Sequence, residues 1–159
     1  MESSAATPIS TSRVALPFLI VGTAAVIFGG LFSAATARSA TYHSAWLVAY
    51  LVLVVGVAQV ALGLGEWWLA SRPLRFSFIW GQVVLFALGN AGVILGSLSG
   101  STFWVDVGSA FLLVAIGSFG WAVRSPRPRG WALWAFWALI GFLLASVVVG
   151  VYFAHVGAP

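Results

Sequence analysis

Residues 45–70 read AWLVAYLVLVVGVAQVALGLGEWWLA, and the fold follows from how little interrupts them. A helix over this run would be about 39 Å long at 1.5 Å per residue, more than the roughly 30 Å hydrocarbon core of a bilayer. Working outward, four more runs meet the same length requirement, at 14–33, 76–98, 103–123 and 131–154. The chain has 159 residues, 62% of them hydrophobic and only 6% charged, whereas soluble domains carry about a quarter charged residues. The sequence therefore predicts an all-α integral membrane protein, a bundle of five transmembrane helices forming one domain over residues 1–159.

Turn chemistry separates the runs: Ser71-Arg72-Pro73, Ser99-Gly100-Ser101-Thr102, and Ser125 to Gly130 with Pro126 and Pro128. Connections this short make successive helices antiparallel. Placing Arg13, Arg72, Arg75, Arg124, Arg127 and Arg129 in the cytoplasm leaves only Arg38 outside. This predicts a cytoplasmic N-terminus and an external C-terminus in a cytoplasmic membrane. A competing reading takes 14–33 as a secretory signal cleaved after Ala35-Thr36-Ala37. The run exceeds a typical signal core and Glu2 lies where positive charge is expected, so the five-span reading is preferred. Either way the second span starts outside.

Composition closes off several chemistries. With no cysteine there are no disulfides, Fe–S clusters or thioether-attached haem, and with no lysine there is no covalently bound PLP or retinal. All seven basic residues are arginines in short connections, so the net charge of +4 reads as membrane topology rather than nucleic-acid binding. Arginine-only basicity with abundant Ala, Gly and Val suggests a high-GC bacterial source. Trp46, Trp104, Trp67, Trp68, Trp121 and Trp131 fall at the ends of spans, as an aromatic belt requires.

Helices in lipid associate by close backbone approach and polar contacts. Gly89, Gly92, Gly96 and Gly100 on span three, with Gln82 below them, and Gly141 with Ala145 and Ser146 with Gly150 on span five, form small-xxx-small packing faces toward other helices of the chain or a partner. In span two, Gly56, Gln59, Gly63 and Glu66 recur at helical spacing, and the stripe extends back to Ala49 and Ala45. This face should point into the bundle. Trp68 precedes Pro73 as Trp121 precedes Pro126, a weak echo between the second and third spans and the fourth and fifth.

Ionisable groups among apolar spans need a partner or a task. Glu66, near the cytoplasmic end of span two, opposes the helix dipole and calls for compensation by Arg72, Arg75 or Arg124. Measured along their helices, Glu66 and Gln82 lie about 7 to 9 Å from the inner ends and Gln59 and Asn90 about 18 to 21 Å, giving two polar rungs between spans two and three. Either interhelical hydrogen bonds or a transport track would use them. His43, Asp106 and His155 fall at the outer edge and together form the donor set of an iron, zinc or copper site, although no local ligand motif supports it. Asp106 is equally explained as a favourable charge in a first helical turn. Both histidines at one edge argue against a transmembrane haem carrier.

Three functions are consistent with these residues. The preferred one is a non-enzymatic accessory or assembly subunit of a membrane complex, associating with other membrane subunits or with copies of itself in the lipid bilayer. The second is a proton or small-solute transporter using Glu66, Gln59, Asn90 and Asp106. The third is a metal-binding membrane protein or metal-dependent enzyme built on His43, Asp106 and His155.

Overall fold

A computed structural model describes residues 12–126 and 130–157 of the chain. It is all-helical, with five helices long and apolar enough to cross a membrane: α1 (Ser12–Thr36), α2 (Tyr42–Leu69), α3 (Phe76–Ser99), α4 (Thr102–Ala122) and α5 (Gly130–Val156). This is the architecture of a multi-pass membrane protein. Two ends can be distinguished. One holds Arg72, Arg75 and Arg124 in the α2–α3 and α4–α5 connections; the other holds Arg38, His43 and His155. Arg127 and Arg129 lie outside the described residues.

Helix boundaries follow local chemistry. The α2 helix starts three residues before the apolar run because Thr41 and Ser44 form a reciprocal capping box, the Thr41 hydroxyl accepting from the Ser44 amide at 3.2 Å and the Ser44 hydroxyl from the Thr41 amide at 2.9 Å. The α3 helix ends at Gly100, whose φ of +67° is left-handed. Gly100 is thus a C-cap, and a Cβ there would meet nothing within 4 Å, unlike one on the other glycines of its predicted stripe.

The most extensive packing joins α3 to α4, and α1 lies along α2. Gly89, Gly92 and Gly96 face α4. A Cβ on Gly92 would come within 2.7 Å of the Gly108 Cα, and one on Gly96 within 2.6 Å of the Val105 amide nitrogen. Against α1, Gly56 accommodates Val26 and Gly63 accommodates the Phe18 ring. On α5 only Ala132, Phe136, Ile140 and Leu143 are buried, a narrow stripe at three- and four-residue spacing. The predicted packing pairs Gly141 with Ala145 and Ser146 with Gly150 are exposed on that helix, because its buried stripe runs along a different side.

Within α2, residues Leu51–Ala58 form a π-helix. Its wider i→i+5 turns shift the register of everything before them. Gly56, Gln59, Gly63 and Glu66 are all buried, as the spacing predicts, but Ala49 and Ala45 are exposed. The π segment therefore ends the predicted stripe at Gly56.

Beyond this segment α2 packs extensively only on α1, whereas its Gln59–Leu69 half also meets α4 and α5. There Gly65 accommodates Phe136, and Trp68 meets Trp131 edge-on at 6.2 Å. The bundle is closed at the arginine end and open at the histidine end, where a cleft of about 970 Å³ separates α2 from α3, α4 and α5. At the closed end the two connections pair: Ala70 and Pro126 form an antiparallel bridge, and the Ser71 hydroxyl donates to the Ser125 carbonyl at 2.5 Å. The sequence echo between these turns thus corresponds to a physical pairing, although the helices around it do not pack symmetrically.

Candidate functional site

Phe18, Phe86 and Phe119 are fully buried, with Phe119 5.3 Å from Phe18 and 6.5 Å from Phe86 by ring centroids. Into this apolar interior the chain places Gln59 and Glu66 from α2 and Gln82 and Asn90 from α3, none more than 2% exposed. The α2 pair is there because π-helix and glycines together turn that face inward. Gln82 belongs to the same buried side of α3 as Ile79, Val83 and Phe86.

These side chains do not satisfy one another. The Gln82 amide lies against the Glu66 carboxyl, close enough to act on it, yet not in hydrogen-bond geometry. Both polar atoms of Gln59, both carboxyl oxygens of Glu66, both polar atoms of Gln82 and the Asn90 Oδ1 have no protein hydrogen-bond partner. Asn90 Nδ2 donates to the Phe86 carbonyl of its own helix at 2.7 Å. Of the two predicted rungs, the Glu66–Gln82 pair is brought together and the Gln59–Asn90 pair makes no hydrogen bond. Leaving a buried polar group unpaired costs about 1 to 3 kcal/mol, and more for a charged one. The interior therefore carries buried polar atoms with little support from the protein beyond the contact of Gln82 with Glu66.

No described arginine pairs with Glu66. Among the described residues its carboxyl forms no ion pair with Arg72, Arg75 or Arg124, the partners expected from sequence. Arg124 instead stacks on Trp121, its guanidinium 3.8 Å from the ring centroid, and donates to the Trp121 carbonyl at 3.0 Å. This arrangement holds the charge at the bundle edge.

At the histidine end, His155 Nε2 lies 3.5 Å from the Asp106 carboxylate, while His155 Nδ1 is 3.0 Å from the Val151 carbonyl one turn earlier. The structure thus joins two of the three residues predicted as metal ligands. His43 stands apart, and among the described residues no three His, Asp, Glu or Cys side chains converge. Asp106 and His155 are about half exposed and do not line the cleft.

Several features escaped the sequence. Gly108 is the α4 counterpart of the α3 glycines, and Gly22 on α1 is one against α2, where an added Cβ would fall 2.8 Å from the Gly56 carbonyl oxygen. A single glycine among valines gives little signal by itself; only the facing stripe on α3 could have called for it. Fold and site together define a five-helix bundle with a buried carboxyl that, among the described residues, has no ion-pair partner. Compared with protein-family models, curated proteins and solved structures, the chain matches none.

Proposed function

We propose that this chain is a multi-pass protein of a bacterial cytoplasmic membrane, with its N-terminus in the cytoplasm, that passes protons through Glu66. The observation that carries this reading is the set of buried polar atoms without protein hydrogen bonds, among them a carboxyl that, among the described residues, forms no ion pair with an arginine. A fold that only needed to hold α2 against α3 would pair those groups or replace them by apolar ones. Glu66 sits one turn from the arginine end of α2, and Gln59 about 10 Å further along the same face. In this scheme the carboxylate takes up the proton, while the Gln82 amide beside it offers its oxygen to the protonated carboxyl and its N–H to the ionised one, and Gln59 stands further along the same face as the next polar station. The glycine stripe, which supported the accessory-subunit reading, is occupied here by α4 of the same chain.

The test is proton flux into vesicles holding a pH-sensitive dye, under an imposed potential. Wild-type protein should exceed empty vesicles, and Glu66→Gln should lower the excess at least tenfold. Wild-type flux equal to that of empty vesicles, or full flux in Glu66→Gln, rejects the proposal. A second reading, assembly with another membrane subunit or a second copy, is favoured by the exposed Gly141 and Ala145 on α5. It predicts that Gly141→Leu separates a complex isolated in mild detergent.

A further inference from the structure

The cleft at the histidine end is independent of Glu66. It runs from the mouth residues His43, Ser101 and Thr102 down to Phe86, Leu112 and Ile116. Counting along α3 and α4, that is a depth of about 20 Å, two thirds of a hydrocarbon core. Its volume of about 970 Å³ is at the upper end of the roughly 300 to 1,000 Å³ of small-molecule sites.

Polarity is graded along this depth. The floor is entirely apolar, with Phe142 and Leu143 of α5 beside Phe86, Leu112 and Ile116. Hydrogen-bonding groups occupy the middle and the mouth. One wall is Trp46 stacked on Tyr50, ring centroids 5.1 Å apart, and Ser97 and Ser109 are contributed by α3 and α4.

The hydroxyls of Ser109 and Ser97 are used differently from others in the bundle. Hydroxyls in helices commonly bond back to their own turn. Ser99, Ser118 and Ser146 do so here, to the Leu95, Ala115 and Phe142 carbonyls at 2.6, 2.6 and 2.9 Å. Ser109 is only 5% exposed and lines the cleft without such a bond. Tyr50 and Ser97 also line it, and their hydroxyls have no hydrogen-bond partner among the described residues. Among the described residues no arginine, aspartate or glutamate lines the cleft, which therefore offers hydrogen bonds, and the His43 imidazole at its mouth, but no permanent charge.

We infer that the cleft binds a neutral lipophile, its hydrocarbon tail against Phe86, Leu112 and Ile116 and a hydroxyl- or carbonyl-bearing head against Ser109, Tyr50 and Ser97. The absence of fixed charge selects against phosphate heads, which arginine or lysine would normally hold. A glycerol monoester and a benzoquinone with an alkyl tail share the required chemistry and differ in the head.

Native mass spectrometry of the full chain in mild detergent tests this, with monooleoylglycerol, a decyl-benzoquinone and dioleoyl phosphatidylglycerol added separately. At least one neutral probe should bind one to one, and which of the two does so distinguishes the head. Ser109→Ala and Tyr50→Phe remove only an oxygen, preserve shape, and should each weaken binding about fivefold. Glu66→Gln should bind like the wild type, so loss of proton flux and loss of probe binding report separately. Phosphatidylglycerol binding as tightly as the neutral probes, no one-to-one neutral complex, or hydroxyl-free variants binding unchanged would each overturn the inference.

Discussion

Replacing Gly108 by alanine tests the close backbone approach of α4 to α3. The new Cβ would lie 2.5 Å from the Val93 amide nitrogen, 2.7 Å from the Gly89 carbonyl oxygen and 2.8 Å from the Gly92 carbonyl carbon. All three are backbone atoms of α3, so no side-chain rotation relieves the clash. Recovering ordinary contact requires α3 and α4 to separate by about 1 Å, and a gap of that size forfeits a quarter to a half of each dispersion contact along the interface. The expected destabilisation is about 3 kcal/mol, the upper part of the range for overpacking. Gly117 on the same helix has nothing within 4 Å of its Cβ position, so Gly117→Ala should leave stability unchanged or slightly higher. Reversible unfolding of both variants in mixed micelles, by SDS titration, provides the comparison. A Gly108→Ala change below about 0.5 kcal/mol would mean that α3 and α4 do not meet as closely as described, and would remove the basis for small-xxx-small packing within the chain.

Two further outcomes follow from other parts of the fold. Single cysteines at Ser71 and Ser125, both exposed at the arginine end, should react with an impermeant thiol reagent only after the cytoplasmic face is opened, whereas one at Gly157 should react from outside; labelling of Ser71→Cys in intact cells would invert the topology. Because His155 and Asp106 are about half exposed, His155→Ala and Asp106→Asn should each cost less than about 1 kcal/mol and leave the metal content of the purified protein unchanged. Stoichiometric metal in the wild type that disappears with either substitution would instead restore a metal site at this edge.

Helix number and extent were legible in the sequence because apolar length leaves few alternatives once the turns contain Pro, Gly and Ser. The inward face of α2 was legible for the same reason, since Gly56, Gln59, Gly63 and Glu66 share one side of a helix. What lies opposite a small residue was not. Gly92 and Gly141 sit in comparable four-residue patterns, but Gly92 is covered by Gly108 and Gly141 by nothing within 4 Å. Spacing specifies a face; the neighbour depends on how each helix is rotated. Glu66 raised the same difficulty. Three arginines lay within reach along the chain, and only the structure shows that Arg124 turns onto Trp121 and that none of the three pairs with the carboxyl.

The π segment accounts for both the site and the cleft. Nothing in Leu51–Ala58 marks it, for the residues are Val, Leu, Gly and Ala, which suit an ordinary helix equally well. Its effect is to give the two halves of α2 different orientations. The Gln59–Leu69 half directs glycines and polar groups inward and meets α1, α4 and α5. The half before it presents Trp46 and Tyr50 to open space instead of to α3. An uninterrupted α-helix would carry Ala45 and Ala49 into the face now held by Gly56, and two alanines there would favour closure of the bundle along its full length. The wider turns thus keep the polar cluster buried at one end of α2 while holding the other end away from its neighbours, so a closed ionisable site and an open apolar cleft can share one helix.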